Sequence, residues 1–158
     1  MIKIIAVGKI KEPGLQMLVK EYQKRLSGYS KIAIVELKDL KIPNNASEAD
    51  CLKIIEQEGQ NIMAKLHQDD TVILLDLHGA SLDSVQMAEK FENWRTYSRK
   101  DLVFVIGGSL GVSDKLRKRA KHLWKLSDLT FTHQFTRVIV LEQIYRFFKI
   151  NNNENYHK

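Results

Sequence analysis

Five short apolar runs punctuate the chain, and the stretches between them carry apolar residues at helical spacing. Met1 to Val7, apolar at Ile2, Ile4, Ile5 and Val7, predicts a strand that Gly8 ends. Pro13 then suits a first helical turn, and Leu15, Leu18, Val19, Tyr22 and Leu26 predict the inner face of a helix from Pro13 to Leu26. Lys31 to Leu37 reads as a second strand, and Lys38 to Ala46, with Pro43 and two asparagines, as a loop. Ser47 can cap the next helix with Asp50 three residues on, and that helix buries Leu52, Ile55, Ile62, Met63 and Leu66 while tolerating Gly59. Thr71 to Leu77 (TVILLDL) predicts a third strand, fully buried, and His78-Gly79 a turn. A helix from Ser84 is expected to turn Val85, Ala88, Phe91 and Trp94 inwards, which makes Trp94, like Trp124, a core residue rather than a stacking platform for bases.

The fourth run, Leu102 to Ile106, has no polar alternation, the pattern of a strand covered on both faces. Gly107, Gly108 and Gly111 follow as a turn that can take positive φ and let a ligand lie against bare backbone. A basic helix over Ser113–His122, a short strand over Leu123–Leu126 and a helix over Thr136–Ile150, with Val138, Leu141, Ile144, Tyr145 and Phe148 on one side, complete the chain before a polar tail. The alternation of strands and helices predicts an α/β fold: a mostly parallel sheet flanked by helices, one domain spanning residues 1–158.

Composition narrows the classes. The chain of 158 residues, 44% hydrophobic and 28% charged, is ordinary for a globular domain, and no run approaches the roughly 20 apolar residues of a membrane span. A lone Cys51 excludes an intrachain disulfide and, with no signal-peptide pattern, points to the cytoplasm. His67, His78, His122, His133 and His157 lack metal-ligand spacing, so no metal is expected. The net charge of +6 favours a polyanionic partner. In Ser113–His122, Lys115, Lys118, Arg119 and His122 would share one helical face; it is either a solvated surface or a grip on RNA backbone that Lys9 and Lys11 could extend.

Neither G-x-G-x-x-G after the first strand nor G-x-x-x-x-G-K-[ST] is present, which removes the dinucleotide and P-loop readings. A flavodoxin-like binder would need hydroxyl- or amide-rich phosphate loops where this chain has Gly8-Lys9-Ile10-Lys11. Three other segments, TVILLDL, VIGGSLG and LSDLTF, place strand ends near one crevice and contain no basic residue, which suits a nucleoside better than a nucleotide.

Taken in order, AVGK near the start, IGGSLG, LSDLTF with a histidine two residues on, TRVIVLEQIYR and a terminal NYHK resemble the RlmH (YbeA-like) family across essentially the whole chain. The resemblance implies a SPOUT-class methyltransferase acting at N3 of a pseudouridine in large-subunit (23S) ribosomal RNA. It also implies S-adenosylmethionine as cofactor, a C-terminal trefoil knot and a homodimer. By motif, the cofactor contacts fall on Leu75, Gly107, Leu126, Ser127, Asp128, Leu129, Thr130 and Phe131. Where the family pattern leads us to expect Pro before the histidine, this chain has Thr132, which puts the rigidity of the loop's exit in question.

The imide nitrogen attacks well only as its proton leaves, so a base or a cation is useful. Candidates are His133, otherwise a structural histidine, Arg137, otherwise a partner of phosphate or of Glu142, and the terminal Tyr156, His157 and Lys158. RNA contacts are expected at Lys9, Lys115, Lys118, Arg119 and Lys158. A chain this short carries no separate RNA-binding module, so the assembled ribosome is the expected substrate, with a second subunit adding grip. The alternative is a non-catalytic, basic RNA-binding homodimer with a vestigial pocket.

Overall fold

The computed structural model describes residues 1–158. Five parallel strands, β1 (Ile2–Val7), β2 (Ile32–Leu37), β3 (Thr71–Ser81), β4 (Leu102–Ile106) and β5 (His122–Lys125), form one sheet in the order β2-β1-β4-β3-β5. Helices α1 (Pro13–Leu26), α2 (Glu48–Met63), α3 (Ser84–Tyr97), α4 (Asp114–Arg119) and α5 (His133–Asn151) connect and cover it. The strand pleat sends alternate residues to opposite faces. Ile2, Ile4 and Ala6 of β1 and Leu102, Phe104 and Ile106 of β4 join one apolar cluster, with residues of α1, α3 and α5. Ile5, Val7, Val103 and Val105 join the other, with Ile62 of α2 and Leu116 of α4. Both central strands are therefore apolar throughout because both faces are covered, as the sequence pattern implies.

β3 continues to Ser81, and His78-Gly79 is no turn. Leu75 and Ala80 both pair with Trp124, so residues 76–79 bulge out of the ladder and the strand resumes beyond them. Gly79 permits this, since a Cβ there would lie 2.6 Å from the Leu123 carbonyl carbon and 2.7 Å from the Trp124 nitrogen.

Helix phases also differ in detail. Val85, Leu18 and Leu52 are exposed, while Met87 is buried in the position expected of Val85; Asp83, capping α3 reciprocally with Gln86, fixes that phase. The Ser47–Asp50 capping box forms as read. The basic helix stops at Arg119, because Lys121 N already donates to Val72 O and starts β5. His122 accordingly leaves the helical face and stacks on Trp94, ring centroids 4.5 Å apart. α5 starts at His133, three residues earlier than expected, because Thr132 Oγ1 accepts from Phe135 N as its cap. That cap anchors the loop exit without the proline.

Candidate functional site

The carboxyl ends of β3, β4 and β5 enclose a cavity of about 570 Å³, within the range of pockets that hold whole small ligands. Its walls are Leu75 to His78 from the bulge, Ile106 to Val112 except Leu110 from the glycine turn, and Leu126 to Gln134 except Asp128 around the start of α5, with Arg117, Trp124 and Thr136. The three crevice loops thus meet as expected. Seven of the eight cofactor candidates line the cavity: Leu75, Gly107, Leu126, Ser127, Leu129, Thr130 and Phe131. Asp128 does not; it is exposed and pairs with Lys125.

The glycines act by space more than by conformation. Only Gly111 of the three has positive φ (101°). A Cβ on Gly107 would meet Val112 Cγ1 at 2.5 Å, and one on Gly108 would meet Glu58 Oε2 at 2.5 Å. Gly111 N donates to Gly108 O at 3.2 Å, closing the turn.

Charge in the wall is compensated. Asp76 is buried, and burial pushes its carboxyl up, but Arg117 Nε donating at 2.7 Å and the His78 N–H outweigh this and hold it below the usual range. The sequence loops contain no basic residue; Arg117 enters from α4, and Asp76 occupies it. Glu58 of α2 is 6% exposed, and burial raises its pKa.

His133 sits at the rim with its ring packed on Gly8. Burial, then the neighbouring Arg137 guanidinium, lowers its pKa, so the ring is neutral near pH 7. Arg137 lies beneath, fully buried, with Nη1 on Glu36 Oε1 at 2.9 Å and Nη2 on the carbonyls of Gly8 at 2.7 Å and Val7 at 3.3 Å. Neither phosphate contact nor pairing with Glu142 is open to it, which corrects the sequence expectation; Glu142 binds Arg146 and Tyr156 instead. Arg137 Nη2 approaches His133 Nδ1 at 3.5 Å, and a guanidinium can only donate, so the neutral ring carries its proton on Nε2. Arg137 thus ties the end of β1 to the start of α5 and sits against the His133 ring.

The tail lies elsewhere. Tyr156 packs on Tyr145 and donates to Glu142 at 3.1 Å, and His157 Nδ1 is 3.2 Å from Arg146 Nη1. Burial, then Tyr22 and Glu142, raises the Tyr156 pKa, so its hydroxyl stays protonated. Arg146 is thirteen residues beyond His133 on α5, roughly 20 Å at 1.5 Å per residue. One chain does not bring tail and cavity together.

The cationic candidates also separate. Lys115 and Lys118 are exposed on α4, on the α2 face of the sheet, whereas Lys158 ends the tail on the α5 face. Lys9 is exposed beyond β1. Arg119 is tied down, its Nη2 donating to the carbonyls of His67, Gln68 and Asp70. Sequence reasoning missed Asp76, Arg117 and Glu58. A lone acid inside TVILLDL was the signal for Asp76; an acid in an amphipathic helix gave none for Glu58.

His122 and His133 are both held below their ordinary pKa, His122 by burial and then Lys121 and Lys90. Below about pH 6.5 the unfolded chain then binds more protons than the folded one, so stability present above that pH is lost as pH falls through the folded values. Glu58, shifted upward, works in the opposite sense at lower pH. The melting temperature should drop between pH 7.5 and 5.5, and His122→Phe, which keeps the stack on Trp94, should shrink that drop; an equal drop in both proteins would refute the assignment.

No group of three or more His, Cys, Asp or Glu side chains is placed to hold a metal, and no helix is long and apolar enough to cross a membrane. A family model described as "Predicted SPOUT methyltransferase" matches residues 1–157. A Bacillus cytotoxicus protein named ribosomal RNA large subunit methyltransferase H is 45% identical over 157 residues, 99% of each chain. A Clostridium perfringens protein of the same name is 46% identical over the same span, again 99% of each. Among solved structures, the tRNA (m1G37) methyltransferase of Aquifex aeolicus superimposes with a TM-score of 0.51 at 10% identity, over 92% of this chain and 69% of that one, a likeness of fold alone.

Proposed function

The chain belongs to the SPOUT methyltransferase family, and from that premise we propose that it methylates N3 of a pseudouridine in large-subunit ribosomal RNA, using S-adenosylmethionine. The observation that carries the reading is the 570 Å³ cavity, walled by a bare glycine turn and without an unpaired cation, with a neutral histidine at its rim. A phosphate-bearing cofactor would find no free cation here, whereas a positively charged sulfonium meets no uncompensated positive charge.

Leu75, Leu126, Leu129 and Phe131 would grip the nucleoside by apolar contact, and Gly107 and Thr130 would offer close backbone approach; Asp128, pointing away, would not take part. S-adenosylmethionine bound there would supply an electrophilic methyl group on sulfur. The walls fix the reacting partners in line, which is where much of the rate of such a displacement arises. His133 acts as a donor rather than as the base: with its proton on Nε2, it can hydrogen-bond an imide oxygen as negative charge grows there, while the N3 proton leaves to water. Tyr156, His157 and Lys158 would reach a cavity only across a homodimer. Met17, Leu18, Leu129 and Phe135, all exposed, supply apolar surface for one. Residues 126–132 run from the edge strand β5 past the ends of β3 and β4 to Gly8, and we read this crossing as the trefoil knot. Ribosomes as substrate place the protein in the cytoplasm.

Labelled methyl transfer to ribosomes from a strain lacking this protein, followed by location of the modified base, tests the reading. Transfer to N3 of one pseudouridine, with micromolar binding of S-adenosylmethionine, is the expected result. No binding at millimolar ligand would return the chain to a non-catalytic RNA-binding dimer. Equally efficient methylation of naked transcript would overturn the ribosome as substrate.

A further inference from the structure

A second cavity, of about 200 Å³, adjoins the first, and Gly108, Ser109 and His133 line both. Its remaining wall comes from Val7 at the end of β1, the loop after β2 and α2. At that size it falls short of the roughly 300–1,000 Å³ that encloses a whole drug-sized ligand. It suits a single flat ring. Leu40, Ile42, Ile54 and Leu110 give it apolar sides, and Asp39 and Lys41 are exposed to solvent.

Glu58 is the buried polar group in this wall. Its Oε1 accepts from Leu40 N at 3.1 Å, its only hydrogen bond within the chain, and no cation pairs with it. Oε2 is left without a donor and lies against Gly108. Oε2 is not sealed in the interior; it opens to the cavity, where it is free to accept a hydrogen bond from a ring N–H that enters there. The bare backbone at Gly108 is what lets the carboxyl sit there, directly behind the turn that walls the larger cavity.

We propose that this smaller cavity receives the base to be methylated, and that Glu58 determines its specificity by accepting, through Oε2, the N1–H that pseudouridine has and uridine lacks. The inference rests on the methyl-transfer reading above. In pseudouridine the glycosidic bond runs to C5, so N1 carries a proton; N3 gives its own up in the reaction, which leaves N1–H as the ring's one remaining N–H donor. Uridine presents a C–H at the same edge, and the vacant acceptor would stay vacant. Sites built to hydrogen-bond a substrate N–H discriminate strongly for this reason. His133, common to both cavities, lies where the base and the methyl donor would meet.

Glu58→Gln tests the proposal with little change of volume. A carboxamide has one oxygen; if it keeps accepting from Leu40 N, its NH2 faces the cavity and opposes N1–H donor to donor. Substrates are unmethylated ribosomes carrying pseudouridine at the target and ribosomes from a strain lacking the pseudouridine synthase, which carry uridine there. Wild type is expected to prefer the first by about 100-fold or more in kcat/KM. Glu58→Gln should lose about tenfold or more on pseudouridine, with the preference reduced to match, while affinity for S-adenosylmethionine is unchanged. Should that variant not fold, Gly108→Ala displaces the carboxyl without removing it, and the pseudouridine-to-uridine ratio, not the rate, is the readout. A wild type without preference, or variants that keep it, overturns the role of Glu58 and leaves the methyltransferase standing. A wild type that methylates neither ribosome removes both.

Discussion

Arg137→Ala should destabilise the protein by about 3–5 kcal/mol and lower its melting temperature by roughly 10 °C. The guanidinium is fully buried and holds three acceptors: Glu36 and the carbonyls of Val7 and Gly8. Glu36 reaches solvent and can rehydrate when its partner goes. The two carbonyls cannot, because both of these hydrogen bonds are buried, and a cavity is added to their loss. Arg137→Lys should recover little, since one ammonium cannot reproduce the planar fork. Glu36→Gln, which keeps an acceptor for Nη1, should cost far less. Urea titration of the three variants would settle the order, and an alanine variant as stable as wild type would show that the buried guanidinium is no keystone.

Gly107→Asp should lower the affinity for S-adenosylmethionine by about tenfold to 100-fold, since the one to three kcal/mol typical of overpacking converts at 1.4 kcal/mol per decade. The first new atom would collide with Val112 Cγ1, and Val112 itself lines the cavity, so relief of the clash moves the wall into the ligand's space. Calorimetric titration reads the effect directly, and wild-type affinity would take Gly107 out of the binding surface. The variant also tests the homodimer. Mixed with a chain that ends at Asn153 and so lacks Tyr156, His157 and Lys158, it should regain activity that neither has alone, because one hybrid site then holds an intact pocket and an intact tail. Mixtures as inactive as their components would confine the tail to a role within its own chain.

The strands were legible because burial on both faces leaves unbroken apolar runs, and the cavity loops because glycines and strand ends mark them. What stayed hidden depends on residues far apart in the chain. The bulge of β3 exists because Gly79 presses on the backbone of Leu123 and Trp124, so a local reading takes it for a turn. His122 was assigned to a basic helix, yet pairing of Lys121 with Val72 pulls it into a strand. Arg119 reads as a free surface cation, yet its Nη2 donates to three carbonyls of the loop between α2 and β3. Arg137 sits 101 residues from Glu36, and nothing near either announces the pair. Glu58 looks solvent-facing on its helix; only the missing side chain at Gly108 makes room for it inside. The resemblance supplied Asp128 as a cofactor contact, but Lys125, three residues earlier, turns its carboxylate away.

The strand order has a consequence for synthesis. β1 is an interior strand of the sheet, yet its second neighbour starts a hundred residues later, Ile2 facing Leu102. A nascent chain that has exposed only its first two strands therefore presents an apolar edge with nothing to pair against, and ring closure over that span is slow. The larger cavity needs residues as late as Thr136, so folding waits for nearly complete emergence, and fragments cut before β4 should be bound by chaperones or degraded.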